Sequence, residues 1–387
     1  MTPTGVLSQR VVRLRLQAEE IATNVALPLA ADVDRERRWP AHTFRALADA
    51  GLMGLHVPEE LGGCGEGLVA LAAMTETLAQ GCPSSAICYG MHCVGSAVIA
   101  AKPTDYHRDK YLVPIARGEH ITTLSLSEPG TGVHFYLPNT QLTAVDGAYF
   151  VNGTKHFVTN GGHANSYVVS TRASDAAQGE FSCLVIDGNA PGIRFSGEWD
   201  GMGMRGNSSI MMHLENVRVP RESLLGEEGE QIWYVFEVIA PYFLIAMAGT
   251  YLGVAQAALD YTLNHVRTRV HSHSGEALST ADVIQHKLGE IWSRIEATRQ
   301  LIYYAAAQAD AGNPDALPAV LSAKAEIADV AVAVVNDCMT LCGGVAYREN
   351  STLARLLRDV RASHVMAPTT DLLRLWTGRA ILGQPLL

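Results

Sequence analysis

Ser125-Leu-Ser-Glu-Pro-Gly-Thr-Gly132, followed by Tyr149-Phe-Val-Asn-Gly-Thr-Lys-His-Phe-Val-Thr-Asn-Gly161, is the stretch that decides how this chain folds. The first segment is a turn rich in hydroxyls and glycine, and such a turn leaves backbone N–H groups free for a polar or anionic ligand. The second predicts a strand, a tight Asn152-Gly153 turn and a returning strand that carries Phe157 and Thr159 on one face at period-two spacing. An aromatic ring and a hydroxyl side by side make a shelf for a planar ligand.

The surrounding texture is β-rich from about 119 to 225, with short runs at 141–145, 149–151, 156–159, 167–171, 181–186, 193–195 and 210–214 separated by Gly, Asn and Asp. Before it, apolar residues recur at helical spacing, as at Phe44, Leu47, Ala48 and Leu52, and 68–80 reads as a helix. After it come long Ala- and Leu-rich helices over about 230–268, 280–311, 315–342, 351–362 and 366–381, punctuated by Gly312-Asn313-Pro314 and Gly343-Gly344. The predicted fold class is a multidomain α+β protein. It has an N-terminal α-helical domain (1–118), a middle antiparallel β-barrel-like domain (119–225) and a C-terminal four-helix-bundle domain (226–387).

Composition narrows the partners. The 387 residues carry 29 basic against 39 acidic side chains, a formal charge of −10, and the basic residues are scattered among acids. That excludes a nucleic-acid stripe or an anionic membrane surface and leaves a small molecule. The seven cysteines, at 64, 82, 88, 93, 183, 338 and 342, show no CxxC pair, which points to reduced thiols in the cytoplasm and to no metal site. The N-terminal segment, with Arg10, Arg13, Arg15, Glu19 and Glu20, lacks the apolar core of a signal peptide. Residues 238–259 carry no charge, yet Pro241, Thr250 and Gln256 lower their hydrophobicity, so they read as a buried bundle helix. Gly249 and Gly253 would admit a second helix closely, as at a subunit contact.

Several landmarks in order resemble the acyl-CoA dehydrogenase superfamily of flavoproteins. Ser127-Glu-Pro-Gly-Thr-Gly132 is similar to that family's Thr-Glu-Pro-x-Ala-Gly turn, and Asn152-Gly-Thr-Lys-His-Phe-Val-Thr-Asn-Gly161 to its Asn-Gly-x-Lys-x-Trp-Ile-Thr-Asn-Gly strand. Gly203-Met-Arg-Gly206, Leu214-Glu-Asn-Val-Arg-Val-Pro220, Leu252-Gly-Val-Ala-Gln-Ala-Ala-Leu259, Cys342-Gly-Gly344 and Arg355-x-x-Arg-Asp359 follow in the same order as in the family. The resemblance implies FAD as cofactor, an acyl thioester on CoA or a carrier protein as substrate, and a homotetramer or homodimer. It implies that Ser127, Gly130 and Gly132 approach the flavin and pyrophosphate, that Phe157 replaces an indole beside the ring, and that Thr159 bonds the flavin. Gly343 and Gly344 would reach a neighbouring subunit's FAD, and Thr369 the pyrophosphate. The family's pyrophosphate arginine corresponds to Arg267 or Arg269.

The same resemblance exposes a gap. The family removes an α-proton with a glutamate in one of two places, and those places hold Ala367 and Phe243 here. Val133-His134 also replaces the family's Ser-Asp. Substitute bases on the chain are His92, on a helix that lines the pocket in relatives, His134 on the cofactor turn, and His364 near Ala367, since imidazole titrates near neutral pH. Glu237 lies almost two turns from Phe243 and reads as a solvated first-turn residue. Three functions follow from the resemblance: an acyl thioester dehydrogenase with a relocated base, a monooxygenase of the same fold using reduced flavin and O2, or a base-less FAD-binding subunit of a hetero-oligomer paired through helix faces such as Gly249/Gly253.

Overall fold

The computed structural model describes residues 7–175, 181–229 and 233–387, so the start of the 230–268 helix lies outside the described residues. The chain opens on α1 (Gln9–Ile21), capped by Ser8, whose Oγ accepts from the Val11 N–H. A π-helical turn joins it to α2 (Leu27–Arg35), and α3 (Ala41–Asp49) buries Phe44 and Leu47. α4 (Leu68–Gly81) and α5 (Pro83–Ala101) are apolar nearly all round, and both are buried along almost their whole length, as that composition requires. The short α6 (Asp105–His107) and α7 (Val113–Ala116) lead into the sheets.

Two four-stranded sheets follow. One has the order β1 (Thr122–Ser125), β4 (Ser166–Thr171), β5 (Ser182–Asp187), β8 (Leu224–Leu225); the other has the order β2 (Gln141–Val145), β3 (Ala148–Val158), β7 (Ile210–Pro220), β6 (Ile193–Ser196). Tyr167, Val169, Leu184 and Ile186 face the second sheet and share a core with Val151, Leu214 and Val217, while Val168, Cys183 and Val185 face the helices. With both faces covered, β4 and β5 have almost no exposed position. The expectation of an antiparallel barrel needs one correction: β1 pairs with β4 in parallel. A second correction concerns Asn152-Gly153, which is no turn. β3 runs unbroken through it with a register shift between Val151 and Gly153. The hairpin turn is Asp146-Gly147, where both residues have positive φ, 43° and 77°. Gly153 is needed because a Cβ there would stand 2.5 Å from Thr140 Oγ1.

The C-terminal layer comprises α8 (Ala240–Thr268), entered through a π-helical turn at Tyr234–Ile239, then α9 (Asp282–Asp310), α10 (Ala316–Cys342), α11 (Thr352–Val360), α12 (Ala362–Val365) and α13 (Thr370–Ile381). The spans Pro83–Ala101 and Tyr234–Thr268 are long and apolar enough to cross a membrane, but their apolar windows are 89% and 83% buried within the fold. α8 packs between α4 and α10. Gly249 and Gly253 serve that packing: an added Cβ would meet Thr75 Oγ1 and the Glu76 carbonyl oxygen, each at 2.2 Å. The close approach is therefore to α4 of the same chain and not to another subunit.

Candidate functional site

A cavity of about 750 Å3 opens where the β module, α5 and the C-terminal helices meet. That is a volume typical of small-molecule sites. Its first wall is the 127–133 turn. Glu128 anchors this turn from behind: Oε1 accepts from Lys155 Nζ at 2.6 Å, from Thr140 Oγ1 at 2.7 Å and from the Thr140 N–H at 3.1 Å, and Oε2 accepts from the Asn139 N–H at 2.6 Å. Burial alone would raise the Glu128 carboxyl, but the Lys155 ammonium and these hydrogen bonds outweigh it and hold it below the usual carboxylate value. Gly130 and Gly132 take φ of 88° and 56° with open space beyond them, a conformation glycine adopts cheaply.

The second wall is the end of β3. A further register shift between Lys155 and Val158 puts Phe157 at φ 54° and turns both Phe157 and its neighbour His156 toward the cavity, their rings stacked at 3.9 Å between centroids. Phe157 is 55% exposed. Thr159 also lines the cavity, its Oγ1 hydrogen-bonded to Ser209 Oγ at 3.0 Å. Non-glycine residues in the left-handed region gather at this wall: Phe157, Asn160, Met204 and Ser208. Such backbone strain concentrates where a ligand is gripped. Asn207, fully buried in the same wall, accepts the Ser209 N–H on Oδ1 at 3.0 Å, while its Nδ2 has no hydrogen-bond partner among the described residues.

Helices close the remaining sides. Ile87 and Met91 come from α5, Phe243 and Met247 from α8, and Val365, Met366, Ala367, Pro368 and Thr369 from the α12–α13 junction. Ala367 and Phe243, the two positions where a base would stand, thus both face the cavity, and the surface around them is apolar. Thr369 is the N-cap of α13 with its hydroxyl unused by the helix. Arg358 and Arg361 stand at the edge. Arg358 forms a bidentate pair with Asp34 instead of its neighbour Asp359, which accepts the Met204 N–H at 2.6 Å.

None of the three histidines named from sequence lines the cavity. His92 is on α5 and wholly buried, its Nε2 hydrogen-bonded to the Met53 carbonyl at 2.9 Å and its Nδ1 accepting the Thr122 N–H at 3.2 Å, and burial pulls its pKa down to about 4. Both nitrogens are committed and the ring is neutral. His134 is exposed and bonds Tyr136 OH at 2.9 Å, and His364 bonds the Ala328 carbonyl at 2.9 Å. Glu237 lines a different cavity, beyond the π-helical turn. Arg267, Arg269, Gly343 and Gly344 lie on the exposed surface away from this cavity. His156, Asn207 and Arg361 were missed. Strict alternation puts His156 on the face opposite Phe157, and only the bulge brings both round.

A planar, anionic cofactor fits these features: an exposed aromatic, a hydroxyl pair, an orphaned amide donor, a glycine turn and a free helix N-terminus. Models of the acyl-CoA dehydrogenase N-terminal, middle and C-terminal domains match residues 9–119, 123–217 and 242–382. The short-chain specific acyl-CoA dehydrogenase of Bos taurus mitochondria is 30% identical over 365 residues, covering 94% of this chain and 87% of the relative. The chain belongs to the acyl-CoA dehydrogenase family. Cyclohexane-1-carbonyl-CoA dehydrogenase of Geobacter metallireducens is likewise 30% identical, over 92% of this chain and 93% of that protein. Butyryl-CoA dehydrogenase from Megasphaera elsdenii superposes with a TM-score of 0.91 at 27% identity, over 97% of this chain and 99% of that one. The family is one of FAD-dependent oxidoreductases, and the cavity described above has the walls that such a cofactor needs.

Proposed function

We propose that this family member binds FAD in the cavity and oxidises an acyl thioester at a CH–CH bond without a carboxylate at either usual position. The observation that carries the reading is the shared wall: Ser127, Gly130, Gly132, Phe157, Thr159 and Thr369 line one cavity together with Ala367 and Phe243. When bound, the flavin supplies a two-electron acceptor for hydride. The chain supplies the rest. The glycine turn and Thr369 would hold the phosphates, Phe157 would lie beside the ring, and the apolar face of Ile87, Met91, Phe243 and Met247 would receive the acyl group and exclude water. Glu128 is tied to Lys155, so His156 is the wall side chain left to accept the substrate's α-proton.

Arg267, Arg269, Gly343 and Gly344, exposed and apart from the cavity, would serve a neighbouring subunit's cofactor in a homo-oligomer. The seven unpaired cysteines suit a reducing cytoplasm. The test is anaerobic addition of acyl-CoA and acyl-carrier thioesters to purified holoprotein. Bleaching of the flavin band, abolished in His156→Asn with the oxidised spectrum intact, is the expected result; no bleaching by any thioester sinks the reading.

The lack of a carboxylate at Ala367 and Phe243 favours one alternative, a monooxygenase on the same scaffold that uses reduced flavin and O2. Substrate-dependent oxygen uptake after chemical reduction of the flavin, in a protein that no thioester bleaches, would establish it.

A further inference from the structure

The cavity's floor is held by a charge that has no counter-ion. Lys324, on α10, is fully buried, and its Nζ donates to two backbone carbonyls, Met366 at 3.1 Å and Pro368 at 2.9 Å. These carbonyls bracket Ala367. Among the described residues no carboxylate pairs with Lys324. The acids nearest in sequence, Glu326 and Asp329, turn instead to Arg374 of α13. Burial draws the Lys324 pKa down to about 8, so at neutral pH the ammonium is still largely charged.

The neighbouring contacts show what this arrangement fixes. α10 grips the same segment through the Ala328 carbonyl, which takes His364 Nε2 at 2.9 Å, and α8 grips it through Tyr251, whose hydroxyl donates to Met366 Sδ at 3.0 Å. A buried ammonium satisfied only by carbonyls is costly, because dipoles replace hydration poorly without a full negative charge. Its placement directly behind the wall lets an anion in the cavity supply the missing counter-charge across a low-dielectric gap. The other charges of the wall do not offset it: Glu128 is neutralised by Lys155, and Arg361, at the cavity edge, adds positive charge.

We propose that Lys324 is the positioning residue of the cavity floor: it sets the 366–369 turn that presents Ala367 and Thr369, and its uncompensated charge makes the cavity favour an anionic ligand or an anionic state of the ligand. The proposal rests on the flavin reading of the cavity. Lys324 does not line the cavity and touches no ligand directly.

Sulfite tests it, because sulfite adds reversibly to oxidised flavin, gives an anionic adduct and bleaches the visible band. With FAD-loaded protein, Lys324→Met and Lys324→Gln should each weaken sulfite binding on the order of tenfold or more, and Lys324→Arg should restore it to within about threefold. Glutamine keeps a donor for one carbonyl, so FAD affinity of the apoprotein should fall less in Lys324→Gln than in Lys324→Met. If Lys324→Met does not fold, the Gln and Arg variants carry the comparison alone. Neutral variants that lose thermal stability yet keep sulfite and FAD affinities within about twofold overturn the proposal, as does a wild-type holoprotein that takes no sulfite. Wild-type protein that binds no FAD fails the flavin reading itself, a separate outcome visible before any variant is made.

Discussion

Glu128→Gln is the sharpest probe of how the cofactor turn is held. The substitution keeps the shape and removes the charge from a pair that is 0% and 3% exposed at Lys155 and Glu128. Lys155 Nζ would then retain the Ser170 carbonyl at 2.6 Å and Ser170 Oγ at 2.9 Å, with no anion beside it. A neutral hydrogen bond contributes about 1 kcal/mol, whereas removing one partner of a buried pair costs about 3–5 kcal/mol because the remaining charge is stranded. The larger figure applies here. Chemical unfolding of the apoprotein at pH 7 measures it, and retention of FAD through gel filtration reports whether the 127–133 turn still presents Gly130 and Gly132. Adding Lys155→Met should recover much of the loss, since both charges are then gone. A single-variant cost below about 1 kcal/mol, or a double variant as unstable as the sum of the singles, would refute the reasoning.

Burial raises the Asp359 carboxyl from 3.8 to about 6, so the folded chain holds a proton that the unfolded chain releases; this stabilisation is complete below about pH 4 and is lost as pH rises through 6. At 1.36 kcal/mol per unit the swing is roughly 3 kcal/mol, and the stability of wild type relative to Asp359→Asn should fall by that order between pH 4 and 7 in urea titrations; parallel curves would contradict it. His92→Gln should cost about 2 kcal/mol while turnover per bound flavin stays unchanged; lost turnover at unchanged stability would return His92 to the chemistry. Gly253→Ala, whose Cβ meets the Glu76 carbonyl oxygen at 2.2 Å, should destabilise the chain without altering its sedimentation coefficient, and a change of oligomeric state would show that the glycine serves another subunit. Ala367→Glu restores a carboxylate to the wall and should speed anaerobic bleaching by acyl-CoA about a hundredfold; no gain would mean that the thioester's α-carbon does not come to this wall.

Long periodic segments were the legible part of the fold. The run of small and apolar residues in α8 reads as a buried helix, and 141–145 matches β2 residue for residue. What misled was local chemistry overridden by tertiary contact. Asn152-Gly153 has the composition of a hairpin turn, yet Gly153 is there to let Thr140 pass, and Asp146-Gly147 makes the turn instead. The parallel pairing of β1 with β4 has no signature in four residues. Within the site, Phe157 and Thr159 share a wall, but a bulge and a positive φ bring them there, and that bulge is what adds His156. A histidine's chemical aptitude is visible in sequence but its commitments are not: His92 is spent on two backbone groups that β1 and the segment after α3 leave unpaired.

The distribution of charge around the cavity follows one logic. Glu128, the one carboxylate among the described lining residues, holds Lys155, and two acids that brace the wall are engaged as well, Asp34 by Arg358 and Asp359 by the Met204 N–H. These three are not free to remove a proton. Lys155 and Arg358 are balanced by these acids, but two further cations are not, since Lys324 meets only carbonyls and Arg361 at the cavity pairs with no carboxylate among the described residues. On the reading proposed above, the glycine turn, the exposed aromatic and the helix N-cap would bind an anionic planar cofactor, while alanine and phenylalanine stand where the family's glutamate would start thioester desaturation. On the thioester reading proposed above, the α-proton would pass to His156 or to solvent water, and the unbalanced positive charge would stabilise the anion left behind and so favour the second route.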